Sequence, residues 1–121
     1  MKYYKVTTKN MESSYTKDVR FRIKYSWKGW ITPKIEGCPI FVFNNIRFAR
    51  QQAKIMGGGQ KIYEAKVRNP RGCPYLYNLD DTINIIQGFF KSGNRLEYKN
   101  WSYAPSGTIA CDAIKLVKRI K

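Results

Sequence analysis

The chain contains no histidine. It therefore lacks the commonest general base and metal ligand, and the one side chain whose charge ordinarily changes near neutral pH. Acidic residues are scarce too: Asp and Glu number 8 against 23 Lys and Arg in 121 residues, for a formal net charge of +15. No apolar run approaches the ~20 residues needed to span a bilayer, and Met1-Lys2-Tyr3-Tyr4-Lys5 leads into polar sequence, not into a signal-peptide apolar core. The cysteines are Cys38, Cys73 and Cys111, with no CxxC spacing, which argues against zinc. Their odd number, without a secretion signal, points to reduced thiols in a cytoplasm-like compartment. Neither GxxxxGK[ST] nor GxGxxG occurs, so the phosphate-cradling glycine loops of nucleotide enzymes are missing. No metal and no cofactor is expected.

What is present is cation and aromatic. The chain is 43% hydrophobic and 15% aromatic, enough for a core, and its length fits one domain over residues 1–121. A folded chain this basic repels itself. An anionic partner is the natural reason to keep such a charge: nucleic acid, an anionic membrane surface or an acidic protein groove.

Periodicity gives the elements. Lys2–Thr8 reads as a short strand and residues 9–17 as a loop. From Val19 to Trp27, Val19, Phe21, Ile23, Tyr25 and Trp27 alternate with Arg20, Arg22, Lys24 and Ser26, the period of a half-buried strand. Lys28-Gly29 then suggests a tight hairpin in which Trp27 and Trp30 face each other. Pro39–Phe43 is a continuous apolar run, as in a buried strand. Asn44 or Asn45 caps a helix over Ile46–Met56, stopped by Gly57-Gly58-Gly59. Ala49, Ala53 and Met56 share one face of that helix, and Arg47, Arg50 and Lys54 another.

Lys61–Arg68 alternates again, with Tyr63, Ala65 and Val67 inward and Glu64, Lys66 and Arg68 outward. Leu79–Lys91 reads as a second helix with an Ile83, Ile86, Phe90 stripe and with Asp80 and Asp81 at its positive end. Residues 92–107 read as loop with a short strand at Leu96–Tyr98, and Thr108–Ile120 as a final strand with a basic end. The fold expected is α+β: a mainly antiparallel sheet of about five strands with two helices packed on it. Gly37-Cys38-Pro39 recurs as Gly72-Cys73-Pro74, and turn geometry accounts for both better than haem ligation or duplication.

Two constellations carry the functional expectation. Arg20, Arg22 and Lys24 would stand in a row ~6.8 Å apart on one strand face, a spacing comparable with that of phosphates. Arg47, Arg50 and Lys54 add a helical row, and Lys66 and Arg68 a strand pair. Guanidinium groups grip phosphate with paired hydrogen bonds. Nine tyrosines and three tryptophans exceed the needs of a small core. Tyr3, Tyr4, Tyr15, Tyr98, Trp101 and Tyr103 lie near loops beside lysines, and Trp30 and Trp101 are the aromatic anchors expected at the surface.

Three resemblances bear on the class. Glu64-Ala65-Lys66 resembles the E-x-K element of the PD-(D/E)xK nucleases, which also need an upstream metal-binding Asp; here the nearest preceding acid is Glu36. The run PIFVF, basic helix, KIYEAKV is similar to the strand–helix–strand segment of ADP-ribosyltransferase-like domains. That family uses a His or Arg on an early strand, where this chain has Lys2 and Lys5, so the resemblance implies a related fold without the activity. With its opening KYYKVTT and its close PSGTIACDAIKLVK, the whole chain resembles the short, Lys- and Tyr-rich orphan proteins of bacteriophages and mobile elements. Inhibitors of CRISPR nucleases belong to that class. The resemblance implies a host-cell cytoplasmic, non-catalytic protein that binds RNA, DNA or a nucleoprotein complex. The alternatives are a divergent metal-dependent nuclease, an inactive transferase-like domain and a basic RNA-associated structural protein.

Overall fold

The computed structural model describes residues 1–14, 20–57, 59–92 and 95–121. In chain order its elements are β1 Tyr3–Thr7, β2 Ile40–Phe43, α1 Ile46–Ile55, β3 Lys61–Arg68, β4 Arg71–Gly72, β5 Tyr75–Tyr77, α2 Ile83–Ser92, β6 Trp101–Tyr103, β7 Thr108–Cys111 and β8 Ala113–Ile120. A 3-10 turn covers Arg95–Glu97. This is an α+β fold: a six-stranded antiparallel sheet ordered β4-β7-β2-β1-β3-β8, a separate β5-β6 pair, and two helices.

The pairing explains the shape. β1 is flanked by β2 and β3, both antiparallel to it, and α1 carries the chain from one to the other, a split β-α-β arrangement. β2 pairs with β7 and β3 with β8, yet β7 runs into β8 through Asp112 alone. The sheet therefore curls until its pairings form a ring. Arg71 pins the corner with a 3.0 Å ion pair to Asp112, and Asn69 Nδ2 donates to the other carboxylate oxygen at 2.9 Å. These partners, Asn69 first, hold the Asp112 carboxyl below its ordinary pKa.

Inside the ring, Tyr25, Ile40, Val42, Tyr63, Ala65, Cys111, Ile114 and Leu116 make one core. Burial raises the Cys111 thiol to about 11. Outside the ring, Val6, Phe43 and Ile62 meet α1 through Ala49, which is fully buried. Asn45 caps α1 by accepting from the Arg47 amide at 2.8 Å, and Gly57, at φ +98°, follows the last turn. Gly107 (φ +79°) lies so close to α1 that a Cβ there would come within 2.4 Å of Phe48. A third core joins α2 to the β5-β6 pair through Phe21, Cys38, Tyr77, Ile86 and Phe89. Among the described residues, no helix is long and apolar enough to cross a membrane.

Several expectations are corrected. Residues 20–27 form no strand; they have only a single bridge, Lys24 to Glu12, and Val19 lies outside the described residues. Their alternation has another cause: Phe21 enters the α2 core while Tyr25 enters the ring interior, so the segment threads between two cores. Trp27 and Trp30 do not face each other. Trp27 meets the Tyr63 ring edge-on at 5.3 Å, and Ile31 bridges to Ile114. Met56 is 38% exposed and stands off the α1 core.

The second helix begins at Ile83, not Leu79, and it buries Ile86 and Phe89 rather than Phe90. Asp81 stands before it, with Oδ1 accepting from the Thr82 amide and Oδ2 from the Tyr77 hydroxyl, both at 2.8 Å. The Tyr77 bond, then the Thr82 bond, lowers its pKa. The expected strand at Leu96–Tyr98 is a 3-10 turn, because Tyr98 is drawn onto α2, where its hydroxyl sits against Gly88. The strand lies later, at Trp101–Tyr103. The final strand is two, broken at the Asp112 corner, and Arg71–Gly72 adds a short strand between β3 and β5. With no strand at residues 20–27 and these two added, the sheet has six strands, in keeping with the expected α+β fold of a mainly antiparallel sheet and two helices.

Candidate functional site

β3 places alternate side chains on opposite faces. Tyr63 and Ala65 enter the ring, so Ile62, Glu64, Lys66 and Arg68 share the outer face, with Ile62 under α1. On β8, Lys115 stands directly opposite Lys66, and Lys118 opposite Glu64. A spacing of three on a regular strand would put Lys115 and Lys118 on opposite faces. The register shift between these pairs leaves Val117 without a partner and returns both lysines to the outer face.

Lys66, Arg68, Lys115 and Lys118 are all exposed. Among the described residues none of them forms an ion pair. The one acid in the row, Glu64, has a side chain only 16% exposed and is held by Lys2 at 3.5 Å. Directly opposed like charges on a sheet cost roughly 0.2–1 kcal/mol, so folding alone gives no reason to set Lys66 against Lys115. The Arg68 guanidinium lies 4.1 Å from the centroid of the Trp30 ring, which fixes its position while leaving its donors available.

α1 adds a second unpaired group on the same side of the sheet. Arg47, Arg50 and Lys54 are exposed, and among the described residues their side chains have no partner. With Ile46 and Gln51 they line an open, shallow depression. The first turn of α1 holds no acid, so Arg47 sits unfavourably at the positive end of the helix dipole. From Ile62, beneath α1, to Lys66 is ~13 Å along β3.

The other expected residues lie elsewhere. Arg20 donates to the Leu79 and Asp81 carbonyls at 3.2 Å each, Arg22 pairs with Glu12 at 3.6 Å, and Lys24 donates to the Asn10 carbonyl. That row is not formed; its three cations are tied to separate parts of the chain. Trp101 belongs to the β5-β6 pair. There the Arg95 guanidinium lies 4.7 Å from its ring centroid and 5.0 Å from that of Tyr75, and Tyr103 beside them is 71% exposed. Tyr15 lies outside the described residues.

Sequence reasoning passed over the pairing of Lys115 with Lys66, whose signal is hidden by the bulge, and Arg95, which no periodicity marks. Among the described residues, no three His, Cys, Asp or Glu side chains gather closely enough to share a metal ion. Against this geometry, no protein-family model, curated protein or solved structure matches the chain.

Proposed function

We propose that the chain is a non-catalytic binding protein that lays the outer face of β3, β8 and α1 on nucleic acid, either free or held in the groove of a nucleoprotein enzyme. The observation that carries this reading is the exposed Lys66–Lys115 opposition, with Arg68 and Lys118 continuing it, while Glu64, the acid in the row, lies opposite Lys118 with its side chain largely buried and held by Lys2. Such a row repels itself in the isolated protein and is relieved when phosphates lie across it. Lysines and arginines then release the counterions condensed on the nucleic acid, and that release drives association. Trp30, already stacked on Arg68, anchors the edge of the contact.

The resemblance to small bacteriophage proteins favours occlusion as the mechanism: the cationic face covers a phosphate path that a host CRISPR effector or related machine needs. The test is a mobility-shift titration with labelled single-stranded RNA, single-stranded DNA and duplex, alongside cleavage by a CRISPR effector. The wild-type chain should shift at least one probe and block cleavage, and Lys66→Glu/Lys115→Glu should do neither while keeping its circular dichroism spectrum. Retention of binding by that variant would remove this face from the account.

A further inference from the structure

Among the described residues one cation is buried. Lys5, on β1, is 6% exposed. Its Nζ donates to the Phe41 carbonyl at 2.8 Å and lies 5.2 Å from the centroid of the Tyr25 ring. Among the described residues no carboxylate pairs with it. An ammonium has three donors, and Phe41 takes one. Burying a charge without a counter-charge is costly, so the surroundings of Lys5 need a further explanation.

Those surroundings are not filled. β1 and β2 are in register only at Tyr4 and Phe43. Cavities of about 40 Å³ and 80 Å³ adjoin this seam, and both are lined by Lys5 and Phe41. The larger is walled by the apolar side chains of Val6, Phe43 and Leu76, and Gln52 of α1 reaches it. Among the described residues the Gln52 side-chain amide has no hydrogen-bond partner. A buried ammonium and a free amide thus share one cavity whose other walls are largely hydrocarbon.

We propose that this cavity binds a short-chain carboxylate. The carboxylate lies between the Lys5 ammonium and the Gln52 amide N–H, and a short alkyl tail lies against Val6, Phe43 and Leu76. The volume sets the length. At roughly 10–15 Å³ of such space per water-sized group, the 80 Å³ of the larger cavity takes about five to eight non-hydrogen atoms, which suits propionate or butyrate and is too small for octanoate. The site is separate from the exposed cationic face, and its ligand is a small molecule rather than a polyanion.

The test is thermal unfolding and calorimetric titration of the intact chain in acetate, propionate, butyrate, octanoate or chloride at matched ionic strength. At about tenfold over its Kd, propionate or butyrate should raise Tm by about 5 °C, while octanoate and chloride leave it unchanged. Lys5→Met should fold with an equal or higher Tm in chloride, because an apolar replacement for a buried charge is often neutral or stabilising, and should lose the carboxylate response. Gln52→Leu, on an accessible helix position, should fold and show a weakened response. Equal shifts with chloride, or a full response in Lys5→Met, would overturn the proposal. Should Lys5→Met fail to fold, an undiminished response in Gln52→Leu overturns it instead. Lys66→Glu/Lys115→Glu should keep the carboxylate response, so failure of the surface reading and failure of this one are distinguishable.

Discussion

Arg20, Arg22 and Lys24 alternate with apolar residues as regularly as Lys66 and Arg68 do, yet the fold treats the two sets oppositely. In the first, each cation meets an acceptor within the chain: the Leu79 and Asp81 carbonyls, Glu12, and the Asn10 carbonyl. In the second, a neighbouring strand brings two more exposed lysines alongside, and Glu64, the acid in that row, is already engaged by Lys2. Alternation reports which side chains are apolar. It does not report whether the polar ones find partners at home. The first set holds segments together, and the second remains available to something outside.

The comparison can be broken by charge reversal. Lys66→Glu/Lys115→Glu should weaken nucleic-acid binding by about 100-fold at moderate salt, whereas Arg22→Glu should change it less than about threefold; equal losses in a mobility-shift titration would erase the distinction. Arg20→Met should do the opposite. Losing two half-buried hydrogen bonds to carbonyls costs roughly 1–3 kcal/mol, read as a lower urea midpoint, with affinity intact.

Acid should act through Asp81 and Asp112. Both carboxyls are held below the ordinary 3.8 by hydrogen bonds in the fold, so their stabilisation is complete above that value and is lost as pH falls through the lower folded values. The Tm advantage of wild type over Asp81→Asn/Asp112→Asn should therefore persist at pH 6 and shrink below about pH 4; an advantage independent of pH would contradict the assignment. The smallest effect belongs to Arg47→Glu. It should stabilise the fold by ~0.3–1 kcal/mol by placing an acid at the α1 N-terminus, while weakening binding. A variant that gained stability and kept full affinity would remove α1 from the docking face.

Much of the architecture was legible. The PIFVF run, the Asn-capped amphipathic helix and the alternating KIYEAKVR segment each satisfy a local rule, and each is where the rule puts it. The failures arise where one segment serves two cores or changes direction. Residues 20–27 carry strand periodicity because Phe21 and Tyr25 enter different clusters, a fact of tertiary packing with no local mark. The Asp112 corner and the Val117 bulge are set by ring closure across distant strands. The bulge alone decides that Lys115 and Lys118 share a face. The proposed surface was thus half visible: Lys66, Arg68, Trp30 and the α1 row can be picked from the sequence, but not the lysines that make Lys66 anomalous. Lys5 gave no signal, since nothing in KYYKVTT says that one of its lysines turns inward.

The most direct test of the central claim is the salt dependence of affinity for a duplex or single-stranded probe. Wild-type binding should fall steeply as log affinity is plotted against log salt. Neutralising the opposed pair in Lys66→Gln/Lys115→Gln should reduce that slope by about 1.8 on duplex, or about 1.4 on a single strand. Arg22→Gln should leave the slope where it was. A wild-type slope near zero, or one that the lysine variant does not change, would contradict a phosphate contact at this face.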